Sequence, residues 1–283
     1  MSIKRSIKNS SDKHIASQIN PIIRWAGSKR KLLTRLLPFV PPYFNRYFEP
    51  FSGSACLFFA LCPSKAILND INSELMHFYK CVRAHPISIY RKAAAYPRTK
   101  TQYLFLRSLD PSRLNETDRA VRFFFLNRLC FNGLYRTNKK GFFNVPMGTN
   151  TGKFPSLQEV QKAASILQDV RLCNKDFEDV LSDVRQNDFI YLDPPYYSPV
   201  KRRRNEYGNN CFTTDDFSRL LRALKYIDSQ GATFLLSYAN DQILLDQLHG
   251  HLVHHVVVRR CISGFISQRT YATEIIVTNR NIP

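Results

Sequence analysis

Tyr47-Phe48-Glu49-Pro50-Phe51-Ser52-Gly53 is an apolar run that stops at a glycine turn. Residues 55–61 continue as a compact apolar block with the character of a helix. Ala66-Ile67-Leu68-Asn69-Asp70 is a second apolar run, and it ends in a carboxylate. Short apolar runs bounded by turn residues read as buried strands, so this stretch predicts a β-α-β unit.

The same alternation returns near the C-terminus. Residues 158–167 predict a helix, Val170–Cys173 a strand, and Phe189–Leu192 a strand that ends at Asp193. A helix over 216–229 is expected next, capped by Thr214 or Asp215. A strand over 232–237 follows, and 253–260 with 271–278 read as a closing hairpin. Strands alternating with helices imply an open α/β sheet, in which ligands bind beyond the carboxyl ends of the strands. Gly53, Asp70 and Asp193 all fall at such ends, which locates a candidate site.

Residues 81–156 differ in kind. They carry fourteen Lys and Arg against three Asp and Glu, a balance of +11 within a whole-chain charge of +19 over 283 residues. More than half of the excess therefore sits in about a quarter of the chain, and a polyanionic partner is the expected reason. Helical spacing over 119–129 precedes a Gly-, Asn- and Lys-rich stretch over 131–148, expected to be a long exposed loop. The predicted organisation is a basic flexible N-terminus over 1–20, an α/β body over 21–80 and 157–283, and a helical insertion over 81–156. Hydrophobic residues make up 44%, enough for a sizeable core. The seven cysteines form no C-x-x-C pair and read as reduced thiols in a cytoplasmic protein. No run of 18 apolar residues points to a membrane span. The histidines at 249, 251, 254 and 255 lack accompanying ligands at metal spacing and read as a surface turn leading into a strand, so no metal is expected.

Three constellations carry chemistry. Gly53 permits a close backbone approach to a ligand, and Asp70 lies 17 residues later, a spacing at which a carboxylate reaches a ribose diol. Glu49 is placed to face a cationic ligand group. The chain lacks a full G-x-G-x-x-G at this turn, which argues against a dinucleotide. Asp193-Pro194-Pro195-Tyr196 is the second. The prolines stiffen the strand end and leave carbonyls free as acceptors. A carboxylate and a carbonyl there can take both N–H groups of an exocyclic amine, and Tyr196 offers a ring for stacking on a base. The third is Phe131-Asn132-Gly133-Leu134-Tyr135-Arg136-Thr137-Asn138-Lys139-Lys140, continuing to Pro146. Arg and Asn read base edges and Lys suits phosphates. A basic run at 201–204 follows the second constellation and reads equally as a phosphate clamp or a solvated surface.

The combined order resembles the Dam-type (D12 class, alpha group) adenine-specific DNA methyltransferases. The residues that carry the likeness are Arg24-Trp25-Ala26-Gly27-Ser28-Lys29, Phe48-Glu49-Pro50-Phe51-Ser52-Gly53, Asp70-Ile71-Asn72, the loop from Asn132 to Pro146, and Asp193-Pro194-Pro195-Tyr196. The resemblance implies a Rossmann-like class I methyltransferase sheet, mostly parallel with an antiparallel last strand, carrying an inserted target-recognition domain. It implies S-adenosylmethionine as cofactor, held by Trp25, Lys29, Glu49, Phe51, Gly53, Asp70, Asp176, Phe177 and Asp193. Double-stranded DNA would be the partner. Arg136 would read a guanine, with Leu134 and Pro146 helping, in GATC or a related GAT-containing site. A monomer is expected; the resemblance is compatible with a partner restriction nuclease or defence system, with a role in replication and repair, and with a phage or other mobile element. The alternative is a catalytically inactive DNA-binding protein of the same fold. Ala55 stands where the family often has a second glycine, and an alanine does not easily adopt φ > 0.

Overall fold

The computed structural model describes residues 19–196, 212–259 and 271–280. The basic run at 201–204, Cys211, Cys261 and most of the N-terminal segment lie outside them.

A short helix α1 (Leu33–Leu36) precedes strand β1 (Tyr47–Glu49). Helix α2 (Cys56–Leu61) leads to β2 (Ala66–Asn69), so the predicted β-α-β unit is present. Five helices then separate β2 from the next strand: α3 (Ser73–Ala84), α4 (Pro86–Ala95), α5 (Lys100–Ser108), α6 (Glu116–Leu129) and α7 (Leu157–Ile166). The chain continues through β3 (Val170–Cys173), α8 (Phe177–Leu181), β4 (Phe189–Leu192) and α9 (Thr214–Ser229). It closes with β5 (Thr233–Ala239), α10 (Gln242–Leu245), β6 (Leu252–Arg259) and β7 (Tyr271–Thr278).

The seven strands form one sheet in the order β3-β2-β1-β4-β5-β7-β6. The first five are parallel, and β7 runs antiparallel to both β5 and β6. Both faces are covered, as a parallel sheet requires. Successive residues of β1 divide between them: Tyr47 enters one apolar cluster and Phe48 the other. On β4, Phe189 and Tyr191 face the first cluster while Ile190 and Leu192 face the second. Strand order reverses between β1 and β4. The crevice beyond their carboxyl ends is where such sheets bind ligands.

Some expected boundaries move. The helix expected over 216–229 begins at Thr214 and is capped by Thr213, not by Thr214 or Asp215. Thr213 wins because Asp216 answers it: the Asp216 carboxylate accepts from Thr213 N at 2.9 Å while Asp216 N donates to Thr213 Oγ1 at 3.1 Å. Helix α3 runs continuously through residues 80 and 81. Strand β5 extends to Ala239 because that residue still pairs with Glu274 of β7.

The stretch over 131–148 is a folded arm and not an open loop. Antiparallel bridges join Cys130 to Met147 and Thr137 to Phe143. Phe131 N donates to Pro146 O at 2.9 Å, Asn144 N to Arg136 O at 3.0 Å, and Asn138 N to Phe142 O at 2.8 Å. Phe143 and Val145 are buried against Tyr103, Phe125 and Leu129, which form a third apolar cluster. Their pull inward leaves the tip around Asn138, Lys139, Lys140 and Gly141 exposed, together with Pro146.

Among the described residues no helix is long and apolar enough to cross a membrane. No group of three or more His, Cys, Asp or Glu gathers there as a metal site. His251 instead bonds Asp228 at 2.9 Å.

Candidate active site

Four segments meet at the β1/β4 switch point. Asp193 follows β4 directly, and its Oδ1 is held from two directions. Lys29 Nζ lies 2.7 Å away and Ser237 Oγ donates at 3.0 Å. Ser237 is fully buried on β5 and shares a 3.1 Å hydrogen bond with the Tyr191 hydroxyl on β4. Among the described residues both side-chain hydrogen bonds to Asp193 fall on Oδ1. Lys29 is 8% exposed. Burial alone would favour its neutral amine, but Asp193 first, and Glu274 at 4.0 Å among lesser neighbours, reverse this. Its pKa lies well above the ordinary lysine value, so the ammonium is secure.

Pro194 is buried and Pro195 half-buried. The Tyr196 ring packs edge-on against Tyr238, with centroids 5.1 Å apart, and the Lys29 ammonium lies 5.2 Å from its centre. Burial raises the Tyr196 pKa, so the phenol stays protonated.

The turn after β1 is built by its own backbone and by Asp70. Gly53 has φ +45°. Its N–H donates to Asp70 Oδ2 at 2.9 Å, and Asn72 N donates to Asp70 Oδ1 at 2.9 Å. Burial nevertheless pushes the Asp70 carboxyl up to about 6, against the pull of those two bonds. Glu49 is 2% exposed and accepts from the Tyr47 hydroxyl at 2.8 Å. Burial raises it to about 8 despite that bond. A Cβ at Gly53 would lie 2.7 Å from Trp25 Cδ1, so only glycine lets the indole approach. Ala55 is fully buried with φ 52° and ψ 42°. It occupies the left-handed region despite its methyl group, so the turn keeps the shape that a second glycine would take.

Asp176 caps α8 through Glu178 N at 2.9 Å and pairs with Arg219, which also holds Glu178 and Asp216. Phe177 is buried beneath Phe51, with centroids 5.1 Å apart, and the Arg219 guanidinium covers it at 4.7 Å. Phe212 completes this aromatic wall at 6.4 Å from Phe51.

The arm distributes its residues unevenly. Lys139, Lys140 and Pro146 are exposed, while Phe131, Asn132, Leu134, Tyr135 and Arg136 are half-buried. Arg136 Nε donates to Asn144 Oδ1 at 3.0 Å, which fixes the guanidinium plane. The Asn138 side chain shapes the tip by accepting from Lys140 N and Phe142 N. Tyr135 faces inward, packing on Phe123, Phe143 and Trp25.

Sequence reasoning missed Ser237, Tyr191, Tyr238 and Phe212. Ser237 and Tyr191 carried a signal, since each lies near the carboxyl end of a strand that the sequence predicts.

A carboxylate hydrogen-bonded by a buried ammonium stands beside a Pro-Pro turn at the end of β4, the strand that pairs with β1, whose own end leads into the glycine turn. The family model that matches residues 25–261 is that of the D12 class N6 adenine-specific DNA methyltransferases. The chain belongs to this family. It is 34% identical to the type II methyltransferase M1.LlaDCHI of Lactococcus lactis subsp. cremoris, over 92% of this chain and 95% of that one. It is 30% identical to the Retron Ec67 DNA adenine methylase of Escherichia coli, over 92% of each. It is also 30% identical to the type II methyltransferase M.MjaIII of Methanocaldococcus jannaschii, over 87% of this chain and 93% of that one. The sheet order and its antiparallel β7 are those of a Rossmann-like methyltransferase, and the chain is an adenine-specific DNA methyltransferase.

Proposed function

We propose that this methyltransferase transfers the methyl group of S-adenosylmethionine to N6 of an adenine turned out of duplex DNA, within GATC or a related GAT-containing site. The observation that carries the reading is Asp193, held at one oxygen by Lys29 and Ser237 across the switch point from Gly53.

The residues around the turn suit the cofactor. Trp25, Lys29, Glu49, Phe51, Gly53, Asp70, Asp176 and Phe177 would hold it. Asp70 is an acceptor for ribose hydroxyls, Glu49 an acidic partner for an amino group, and the Phe51–Phe177 wall a surface for a base. The acidic character of the turn disfavours phosphates. When bound, S-adenosylmethionine supplies an electrophilic methyl on its sulfonium.

The protein's part is to make a poor nucleophile reactive. The N6 lone pair of adenine is delocalised into the ring. Asp193 accepts one N6–H and a carbonyl of the rigid Pro194-Pro195 turn accepts the other, which draws the nitrogen towards sp3 geometry. The Lys29 ammonium and the Ser237 hydroxyl hold the Asp193 side chain in place through Oδ1. Tyr196 bounds the space that the base enters. Turning adenine out costs a few kcal/mol of unstacking, and positioning at the crevice supplies much of the rate.

Residues 81–156 serve as the DNA-reading part. Arg136, with its plane set by Asn144, reads a guanine edge, and Leu134 and Pro146 border the rest of the site. Phe131 and Asn132 line the base of the arm. Lys139 and Lys140, on the tip that Asn138 shapes, take phosphates.

The test is chemical. Purified protein is incubated with S-adenosylmethionine and mixed-sequence duplex, the DNA is digested, and N6-methyladenine is measured. Its absence overturns the reading. Mapping the methylated positions decides the site.

A further inference from the structure

Residues 24–29 form a strap clasped by two parts of the molecule that the reaction must bring into agreement. One clasp is the cofactor turn. The pyrrole edge of Trp25 lies against Gly53, and Ser28 Oγ lies 2.9 Å from Cys56 Sγ and accepts from Ser54 Oγ at 3.1 Å. The other clasp is the recognition arm and the helix that carries it. Arg24 N donates to Asn127 Oδ1 at 2.9 Å, and Asn127 Nδ2 donates back to Arg24 O at 2.6 Å. Ala26 N donates to Gly133 O at 3.1 Å. Between these backbone bonds the Trp25 ring stacks on Tyr135, with centroids 6.0 Å apart and planes 18° from parallel.

Tyr135 therefore has two attachments. Its ring meets Phe123 at 5.8 Å and Phe143 at 5.4 Å, which anchors it in the arm. Its remaining aromatic neighbour among the described residues is Trp25. Arg136, the residue proposed to read the guanine edge, is the next residue in the chain. Trp25 is held by backbone bonds on either side, so it cannot leave Gly53 without disturbing the Tyr135 stack. Tyr135 cannot shift without re-aiming Arg136. Packed elements of this kind respond in steps and do not deform smoothly.

We propose that Tyr135 is a positioning residue that couples the recognition arm to the cofactor turn through Trp25. Order imposed at either place stiffens the other, so cofactor and DNA bind with positive coupling. The proposal rests on the S-adenosylmethionine reading of the turn.

Trp25 is the single tryptophan of the chain, so its intrinsic fluorescence reports on this joint. The full-length protein is titrated with S-adenosylhomocysteine, with and without a GATC-containing duplex and with and without an equal mass of mixed-sequence duplex. In wild type, affinity is expected to rise at least about five-fold with DNA, the lower end of ordinary couplings. Tyr135→Phe keeps the ring and should keep that ratio. Tyr135→Leu should bring it close to one while leaving cofactor affinity without DNA nearly unchanged. A folded Tyr135→Leu protein with the wild-type ratio overturns the proposal. So does a wild-type protein that binds S-adenosylhomocysteine with no change on adding either duplex. A wild-type protein whose tryptophan never responds to S-adenosylhomocysteine overturns the cofactor reading itself, and the coupling with it. Should Tyr135→Leu not fold, hydrogen exchange on wild type decides. S-adenosylhomocysteine alone must slow exchange over 131–147, and an unchanged arm refutes the coupling.

Discussion

Removing the Asp193 carboxylate should damage stability as well as transfer, and the two effects can be separated. The Lys29 ammonium is 2.7 Å from Asp193 Oδ1, with side chains 9% and 19% exposed. At an effective dielectric of about 20 the direct attraction is about 6 kcal/mol, much of which offsets the cost of desolvating both groups. Asp193→Ala leaves the ammonium buried with Glu274 at 4.0 Å, the Gly27 carbonyl at 3.3 Å and the Tyr196 ring at 5.2 Å among its neighbours. Breaking a buried pair from one side costs about 3–5 kcal/mol. Residual exposure and Glu274 place this case near the lower end, about 3 kcal/mol.

Lys29→Met should cost less, because Asp193 keeps the Ser237 hydrogen bond and is the more exposed partner. The double variant should cost less than the sum of the singles, with a coupling of about 2 kcal/mol. Urea unfolding of the four proteins measures this, provided the slopes agree. Singles that add to the double within about 0.5 kcal/mol would show that the pair has no coupling, and the assigned role of Lys29 would fail. In the transfer assay Asp193→Ala should yield no N6-methyladenine while some DNA binding survives. Retained transfer refutes its catalytic role.

Ala55→Gly relieves a left-handed residue by about 1–2 kcal/mol, but loses a buried methyl worth about 0.8 kcal/mol and frees the unfolded chain by up to about 1 kcal/mol. Thermal unfolding should therefore show little change, whereas Ala55→Val should melt markedly lower; a neutral Ala55→Val would contradict the backbone geometry. Asp70 titrates near 6 in the folded protein against 3.8 for a free carboxyl. Its folded pKa is raised, so its stabilising share is complete below the unfolded pKa and is lost as pH rises through about 6. The ionised form is the stronger acceptor, so affinity for S-adenosylmethionine should increase across that same window; calorimetry on Asp70→Asn should find the dependence gone. Arg136→Ala should cost about 1–3 kcal/mol of DNA binding and relax preference at one base. An unchanged methylation pattern would make Arg136 a phosphate contact.

The fold was readable because its strands are short apolar runs with clear ends. Val170–Cys173 and Phe189–Leu192 occupy the positions that their sequence assigns. The sequence points to Thr214 or Asp215 as the cap of α9, and Thr213 takes that place because the reciprocal bond of Asp216 forms with it. The arm over 131–148 looked open because its Gly, Asn and Lys residues outweigh Phe143 and Val145 in composition. Packing of those two side chains on α5 and α6 depends on residues far away in the chain.

The sequence by itself determined the chemistry that could occur: Asp193 beside two prolines, Gly53 in its turn, Asp70 at a strand end, and a basic segment with Arg136. Each is a local pattern, set by residue type and by spacing along one segment. Only the tertiary structure decided which of them act on one another. Lys29 reaches Asp193 across 164 residues and Ser237 reaches it across 44. Trp25 meets both Gly53 and Tyr135. Such contacts arise when the parallel order of β1, β4 and β5 brings three strand ends to one edge, and no periodicity within a segment records them.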